Sequence, residues 1–375
     1  MAAQTWTLFD QTNNEHIGHR KIGDHAEFTV HRSGLASGVE MVTIDNGKLK
    51  IHVLPTRGMS IWKAYYGDEA IDWKSPVRGP VHPNYVPLAE PGGLGWLDGF
   101  DELLVRCGLE SNGAPEHDPE TGRLIYPLHG RIGNKPAYKA QVTVDGDKIK
   151  LTGWVEEKRF HFFKVGLKST LTTNLNSSSF EIEDEITNFS ASPTEVQMLY
   201  HVNFGLPLLD AGSQVVAPVK EVVPRNDHAA SGMATWNSYA GETPGFEEQV
   251  YFANLLANDA GDTKVLLKNA HATRGVALRF NIKQLPCFTV WKNTTAAEDG
   301  YVTGIEPGTN FPNPRSFEGE RGRVLKLDGK TKSTLNLGFD YCPNEAAVSS
   351  GEADVQKLQS SKPVIHPNPL PDWCA

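Results

Sequence analysis

The runs Val39-Glu-Met-Val-Thr-Ile44, Leu49-Lys-Ile-His-Val-Leu54, Met59-Ser-Ile-Trp-Lys-Ala-Tyr65 and Ala70-Ile-Asp-Trp73 are separated only by Asp45-Asn-Gly47, Pro55-Thr-Arg-Gly58 and Gly67-Asp68. Short segments rich in β-branched and aromatic residues, each closed by a turn sequence, predict consecutive hairpins and hence an antiparallel sheet. Arg57 lies in one of these turns, before Gly58, where its side chain either reaches over a sheet face toward a ligand or is solvated at the surface.

The same texture fills most of the chain. Strands are predicted at 137–144, 148–156, 164–174, 180–188 and 195–202, and again at 214–223, 250–255, 264–269, 275–281, 287–292, 324–328 and 331–341. In Phe180-Glu-Ile-Glu-Asp-Glu-Ile-Thr187 apolar and polar residues alternate, which marks a strand with one wet face and puts its acidic side chains there, not in a catalytic pair. Leu97, Phe100, Leu103 and Leu104 recur at helical spacing and predict a short helix over 97–105. The fold class is all-β. Residues 38–341 are expected to form one domain, with 1–37 an N-terminal extension packing on it and 342–375 a polar, proline-rich tail, poorly ordered unless it docks.

With 375 residues, 39% of them hydrophobic and 22% charged, the chain can bury a sizeable core. A net charge of −9 without Lys or Arg clusters argues against a phosphate-backbone binder, so no nucleic acid partner is expected. No stretch approaches the ~20 apolar residues of a membrane helix. The start of the chain lacks a basic segment followed by an apolar run, so the expected compartment is the cytoplasm. Cys107, Cys287, Cys342 and Cys374 contain no CxxC pair and read as reduced, buried thiols. No GxGxxG after a strand, no P-loop and no HExxH occurs, and His82, His117 and His366 lack ligand-like spacing. Neither a cofactor nor a metal is expected.

Four stretches carry candidate chemistry. The irregular segment 75–126 offers Trp96, Asp98, Asp101 and Arg106 as pocket-lining residues, with Trp96 equally suited to stacking on a sugar face or plugging a core. In Tyr126-Pro-Leu-His-Gly-Arg-Ile-Gly-Asn134, His129 and Arg131 alternate on what reads as extended backbone and so point the same way, an imidazole and a guanidinium toward an anionic or hydroxyl-rich ligand. Met198-Leu-Tyr-His-Val-Asn-Phe-Gly205 places His201 and Asn203 on one face of a hydrophobic strand, aimed at a cleft or satisfied structurally. Trp291-Lys292-Asn293 closes another strand. Glu306, in Tyr301-Val-Thr-Gly-Ile-Glu-Pro-Gly308, reads as a carboxylate at a strand end that Pro307-Gly308 terminates, a place where a raised-pKa general base can be built or a turn capped.

Pro-Leu-His-Gly-Arg-Ile-Gly-Asn, Tyr-His-Val-Asn-Phe-Gly-Leu and Ile-Glu-Pro-Gly-Thr-Asn-Phe-Pro, together with Leu54-Pro-Thr-Arg-Gly-Met59, resemble the galactose mutarotase-like, or aldose 1-epimerase, superfamily, in one of its uncharacterised branches. The resemblance covers roughly residues 38 to 341. It implies a large twisted antiparallel β-sandwich, the supersandwich, with an open groove for carbohydrate. It also implies that His129, His201 and Glu306 are catalytic. Three features depart from the family: Gly-Arg follows the first histidine in place of Gly-Gly, Pro-Gly follows the glutamate in place of Thr-Gln, and the sugar-binding aspartate has no match.

The activity so implied is interconversion of sugar anomers. Glu306 would take the proton of the anomeric hydroxyl while His201 protonates the ring oxygen, and the ring opens and recloses. Arg57, Arg131, Asn203, Lys292, Trp96 and Asp101 would bind the substrate, and so many cations would invite an acidic or phosphorylated monosaccharide. Two other readings are a sugar-binding protein without turnover and an enzyme cleaving a glycoside with the same residues. Hydrolysis usually needs two carboxylates, and Asp101 is the candidate for the second.

Overall fold

Lys148–Lys158 alternates buried and solvent-facing side chains along its length, the pattern of a strand with one face on a core. The computed structural model describes residues 3–11, 20–25 and 28–375. The rest of the expected N-terminal extension, residues 1–2, 12–19 and 26–27, lies outside the described residues. Among those described, alternation of this kind builds two large sheets, of nine and fourteen strands.

The smaller sheet runs in the order Gln4–Asp10, Ala137–Asp145, Lys148–Lys158, Lys164–Asn174, Ser179–Asn188, Lys332–Cys342, Gly275–Asn281, Asp262–Lys268 and Gln214–Val216. The larger contains the predicted hairpins Glu40–Asp45, Leu49–Leu54 and Ser60–Tyr66, followed by Leu104–Leu109, Thr194–Gly205, Val302–Gly308, Cys287–Asn293, Gln249–Leu255 and Val219–Pro224. Among the described residues the strands of these sheets pair antiparallel except where Val219–Pro224 meets Val364–Ile365, and Gly108 forms an isolated parallel bridge with Gly130. The protein is an all-β sandwich of the galactose mutarotase-like type. Its core lies between the sheets, where Ile182, Leu337 and Phe339 of one meet Val202, Phe204 and Ile305 of the other.

Four expectations change. The predicted helix over 97–105 is a 3-10 turn, Gly95–Gly99, followed by the strand Leu104–Leu109, every residue of which is buried. A strand buried on both faces has no alternation to read, so its leucines mimic a helical period. Asp184 is the second. Glu181 and Glu183 face solvent, but Asp184 shares the inward register of Phe180 and Ile182 and is fully buried. There it meets Arg106, which is likewise not a pocket residue. Arg106 is held bidentately by the Asp184 carboxylate and donates to Ser169 Oγ at 2.7 Å and Met59 O at 2.8 Å, while the Tyr200 hydroxyl donates to Asp184 Oδ2 at 2.9 Å. This cluster rivets one sheet to the other across an apolar layer.

The third change is at Glu306. The ladder does not stop there: Val302–Gly308 continues through it, with Phe288 opposite Pro307 and Cys287 opposite Gly308. The fourth is the C-terminal segment, which is docked. Glu345–Leu358 is a helix whose Val348 and Val355 pack against Leu266, and Trp373 stacks on Phe311 with ring centroids 4.9 Å apart. Asn344 caps that helix by accepting from the Ala347 N–H.

Removing one partner of a buried ion pair leaves the other charge without compensation. Arg106→Leu is therefore expected to lower stability by about 3–5 kcal/mol in urea unfolding, and Arg106→Leu/Asp184→Leu to lose much less than that single change.

Candidate active site

The register of two neighbouring strands creates the site. Thr194–Gly205 pairs with Val302–Gly308 so that Leu199 faces Gly308 and Val202 faces Ile305, which sets His201 opposite Glu306 on the outer face of the larger sheet. Pro307 has no N–H, and the ladder lacks its usual bonds here. His201 Nε2 lies 3.2 Å from Glu306 Oε1. The two atoms touch without forming a hydrogen bond, and Glu306 Oε1 is a buried oxygen with no hydrogen-bond partner. Gly304 makes the approach possible, because a Cβ there would stand 2.1 Å from Glu306 Oε1 and 3.2 Å from the His201 ring. Thr289, opposite Glu306 on the next strand, also has a buried oxygen without a hydrogen-bond partner.

Asn203 sets the state of His201. Its amide nitrogen donates to the carbonyls of Glu102 at 2.9 Å and His201 at 3.1 Å, so its oxygen must accept from His201 Nδ1, at 2.6 Å. Nδ1 thus carries the proton of the neutral ring and Nε2 presents its lone pair to Glu306. Asn203, expected to bind substrate, has both of its amide groups engaged within the protein and acts through His201.

Aromatic rings wall this pair. Trp96, Phe100, Trp291 and His129 have ring centroids 5.8, 5.2, 5.4 and 5.2 Å from that of His201. Trp96 is 2% exposed and packs edge-on against His129 at 4.5 Å. His129 Nδ1 bonds to the carbonyl oxygen of Asn112 at 3.0 Å, and since a carbonyl only accepts, this nitrogen also bears the proton. Asn112 is held by a reciprocal amide pair with Asn310, at 2.9 and 2.8 Å.

Burial and the neighbouring charges shift the titrations. Desolvation pushes Glu306 well above the usual carboxylate range, and the negative Glu248 adds to this. Desolvation holds His201 well below its ordinary value, with His129 nearby acting in the same direction, and brings His129 down to about 4. Burial thus works against the charged forms of the Glu306 carboxyl and of both imidazoles.

The remaining candidates are elsewhere. Arg57 is 1% exposed and wholly engaged, donating to Glu102 Oε1 at 2.6 Å and, each at 2.9 Å, to Val81 O, Asn134 Oδ1 and Gly99 O. Lys292 lies on the opposite face of its strand, donating to the carbonyls of Thr235 and Ser238 at 2.8 and 2.7 Å. Asp101 accepts from Trp62 Nε1 at 2.7 Å and sits 3.4 Å from Lys63 Nζ. Arg131 does not share a direction with His129. The backbone is left-handed at both His129 and Gly130, with φ of 56° and 70°, and Arg131 bonds to Glu110 at 2.7 Å.

Sequence reasoning missed Glu248, Arg225 and the part played by Phe100. Glu248 accepts from Trp291 Nε1 at 2.7 Å and from Arg225 at 3.0 Å at the rim of the site. Its only signal was its position just before the strand that pairs with Trp291.

The sandwich is that of galactose mutarotase-like proteins. Residues 36–340 match the family described as "Domain of unknown function (DUF4432)", and the chain belongs to that family. A candidate aldose 1-epimerase from Klebsiella pneumoniae is 33% identical over 98% of this chain and 99% of its own, with a TM-score of 0.94. A galactose mutarotase-like protein from Clostridium acetobutylicum is 13% identical, covering 84% of this chain and 99% of that one with a TM-score of 0.58, and a galactose 1-epimerase from Lactobacillus acidophilus is 13% identical, covering 86% and 98% with a TM-score of 0.54. The last two likenesses concern the fold alone. No curated protein matches the chain.

Because His129 stays neutral in the folded protein down to about 4 and titrates at 6.5 in an unfolded chain, the unfolded state binds more protons in between. This histidine's contribution to stability therefore falls as pH drops from about 6.5 to about 4. NMR of the ring should show His129 neutral, with Nδ1 protonated, across this whole window.

Proposed function

We propose that this protein interconverts the anomers of a small aldose, as an isomerase of the aldose 1-epimerase type. The observation that carries the reading is the 3.2 Å contact of His201 Nε2 with an otherwise unpartnered Glu306 Oε1 in a dry aromatic pocket. The anomeric hydroxyl and the ring oxygen are attached to one carbon, so a proton acceptor and a proton donor that address both must stand side by side. The shared proton passes from the Glu306 carboxyl to His201 Nε2 across their 3.2 Å contact, the carboxylate so formed takes the hydroxyl proton as the imidazolium protonates the ring oxygen, and reclosure after rotation reverses these transfers. The pair works with a single shared proton. Adding a second at low pH or removing the first at high pH stops it, and the two limits belong to the coupled pair and not to either residue.

Trp291 offers a face for the sugar ring, His129 Nε2 accepts from a hydroxyl, and Glu248 at the rim supplies the acidic hydroxyl partner that the sequence left unassigned. Arg57, Lys292 and Arg131 are engaged with protein acceptors. The walls are therefore aromatic and acidic, which favours a neutral monosaccharide over an acidic or phosphorylated one. Asp101 is turned to Trp62 and Lys63, which removes the second carboxylate named for glycoside hydrolysis. The four free cysteines suit a reducing compartment, in keeping with a cytoplasmic enzyme.

Exchange NMR on a panel of aldoses measures the reaction directly. The wild-type protein is expected to accelerate anomer exchange, and Glu306→Gln and His201→Asn to reduce that acceleration by roughly 10²- to 10⁴-fold while saturation-transfer contacts to the sugar persist. Sugar binding without acceleration by the wild type would establish a binding protein instead.

A further inference from the structure

A second built site lies where the end of Lys148–Lys158 meets the end of Leu104–Leu109. Here Glu110, Arg131, Lys135, Glu157, Lys158 and Arg159 line a cavity of about 250 Å³. At ~30 Å³ per water it has room for about eight waters, more than a single ion requires.

Glu157 is the unusual member. It is 5% exposed, and its Oε2 accepts from the Leu109 N–H at 2.9 Å, but its Oε1 has no hydrogen-bond partner. The nearest cation is Arg131, whose Nη1 stands 3.8 Å from this oxygen and gives its hydrogen bond to Glu110 at 2.7 Å. A buried carboxylate oxygen without a donor is unfavourable by an amount that a ligand hydroxyl would recover. Arg159 reaches Glu110 only at 3.6 Å and keeps most of its donors free. Lys158 is paired with Glu156 at 2.6 Å, which leaves Arg131, Lys135 and Arg159 to face Glu110 and Glu157, so the cavity calls for negative charge while the unpartnered Glu157 oxygen calls for a hydrogen-bond donor.

We propose that this cavity binds a small oxyanion that carries its own hydroxyl, of the hydrogen phosphate class, with Arg131 and Arg159 holding the anionic oxygens and Glu157 Oε1 accepting the hydroxyl. The guanidinium forks match oxyanion geometry, and Glu157 selects for the proton. The site does not depend on the sugar chemistry assigned to Glu306 and His201.

Calorimetric titration of the full-length protein with inorganic phosphate and with sulfate tests this. At about pH 8.5, above the value of about 7 to which burial raises Glu157, the carboxylate is ionised, hydrogen phosphate keeps its proton and sulfate has none. Phosphate is expected to bind about tenfold more tightly than sulfate. Glu157→Gln, whose amide can donate as well as accept, should abolish that preference. Arg159→Gln, at a largely exposed position where folding is not at risk, and Arg131→Gln should each weaken phosphate by about tenfold. Arg279→Gln, on the outer face of the smaller sheet, and Glu306→Gln should leave binding unchanged. The proposal is overturned if the wild type binds neither anion or binds both equally, if Glu157→Gln keeps the preference, or if the loss appears in Glu306→Gln in place of the cavity variants.

Discussion

A single buried guanidinium holds the site together. Arg57 sits in a tight turn of the larger sheet, yet its donors reach the carbonyl of Val81, the carbonyl of Gly99 with the nearby Glu102 carboxylate, and Asn134, three stretches well separated in the chain. Burying such a charge is tolerable only because the Glu102 carboxylate neutralises it and every bond is satisfied internally. Gly99 is a glycine because a Cβ there would crowd both terminal nitrogens at 3.0 Å. With Arg57 in place, the segment that carries Trp96 and Phe100 is fastened over the outer face of the sheet, and the Glu102 carbonyl is positioned to receive Asn203.

The chemistry inherits this arrangement. The rings fastened by Arg57 shield His201 and Glu306 from water, and that desolvation raises the carboxyl and lowers the imidazole. Asn203 removes the remaining freedom by fixing which imidazole nitrogen bears hydrogen, so the lone pair faces the carboxyl. The same sheet carries an opposite solution on its inner face. There Arg106 and Asp184 are held as a fully bonded ion pair, and nothing in the surroundings is left for a ligand to complete.

Much of the fold was legible because hairpin turns and two-residue periodicity are local signals. The strands from 39 to 73 and the alternation of 180–188 needed nothing beyond near neighbours. The failures share one cause. Leu104–Leu109 is buried on both faces and so shows no period, and Asp184 looked solvated because its partner is 78 residues away in sequence. Pro307 read as the end of a strand, whereas only the flanking strands could show that the sheet runs past it.

For the site, sequence alone singled out His129, His201 and Glu306 and the superfamily to which their motifs point. It could not say which neighbouring polar residues face them. Arg57, Lys292, Asp101 and Arg131 carry the right chemistry, but a side chain's donors go to whatever acceptors the fold brings closest, and here those are carbonyls and carboxylates of the protein itself. Glu248 has no motif and reaches the rim only because Gln249–Leu255 pairs beside Trp291. The candidate reactive groups were legible in local sequence. Their separation, protonation and enclosure depend on strand register and burial between distant segments, and only the tertiary structure sets these.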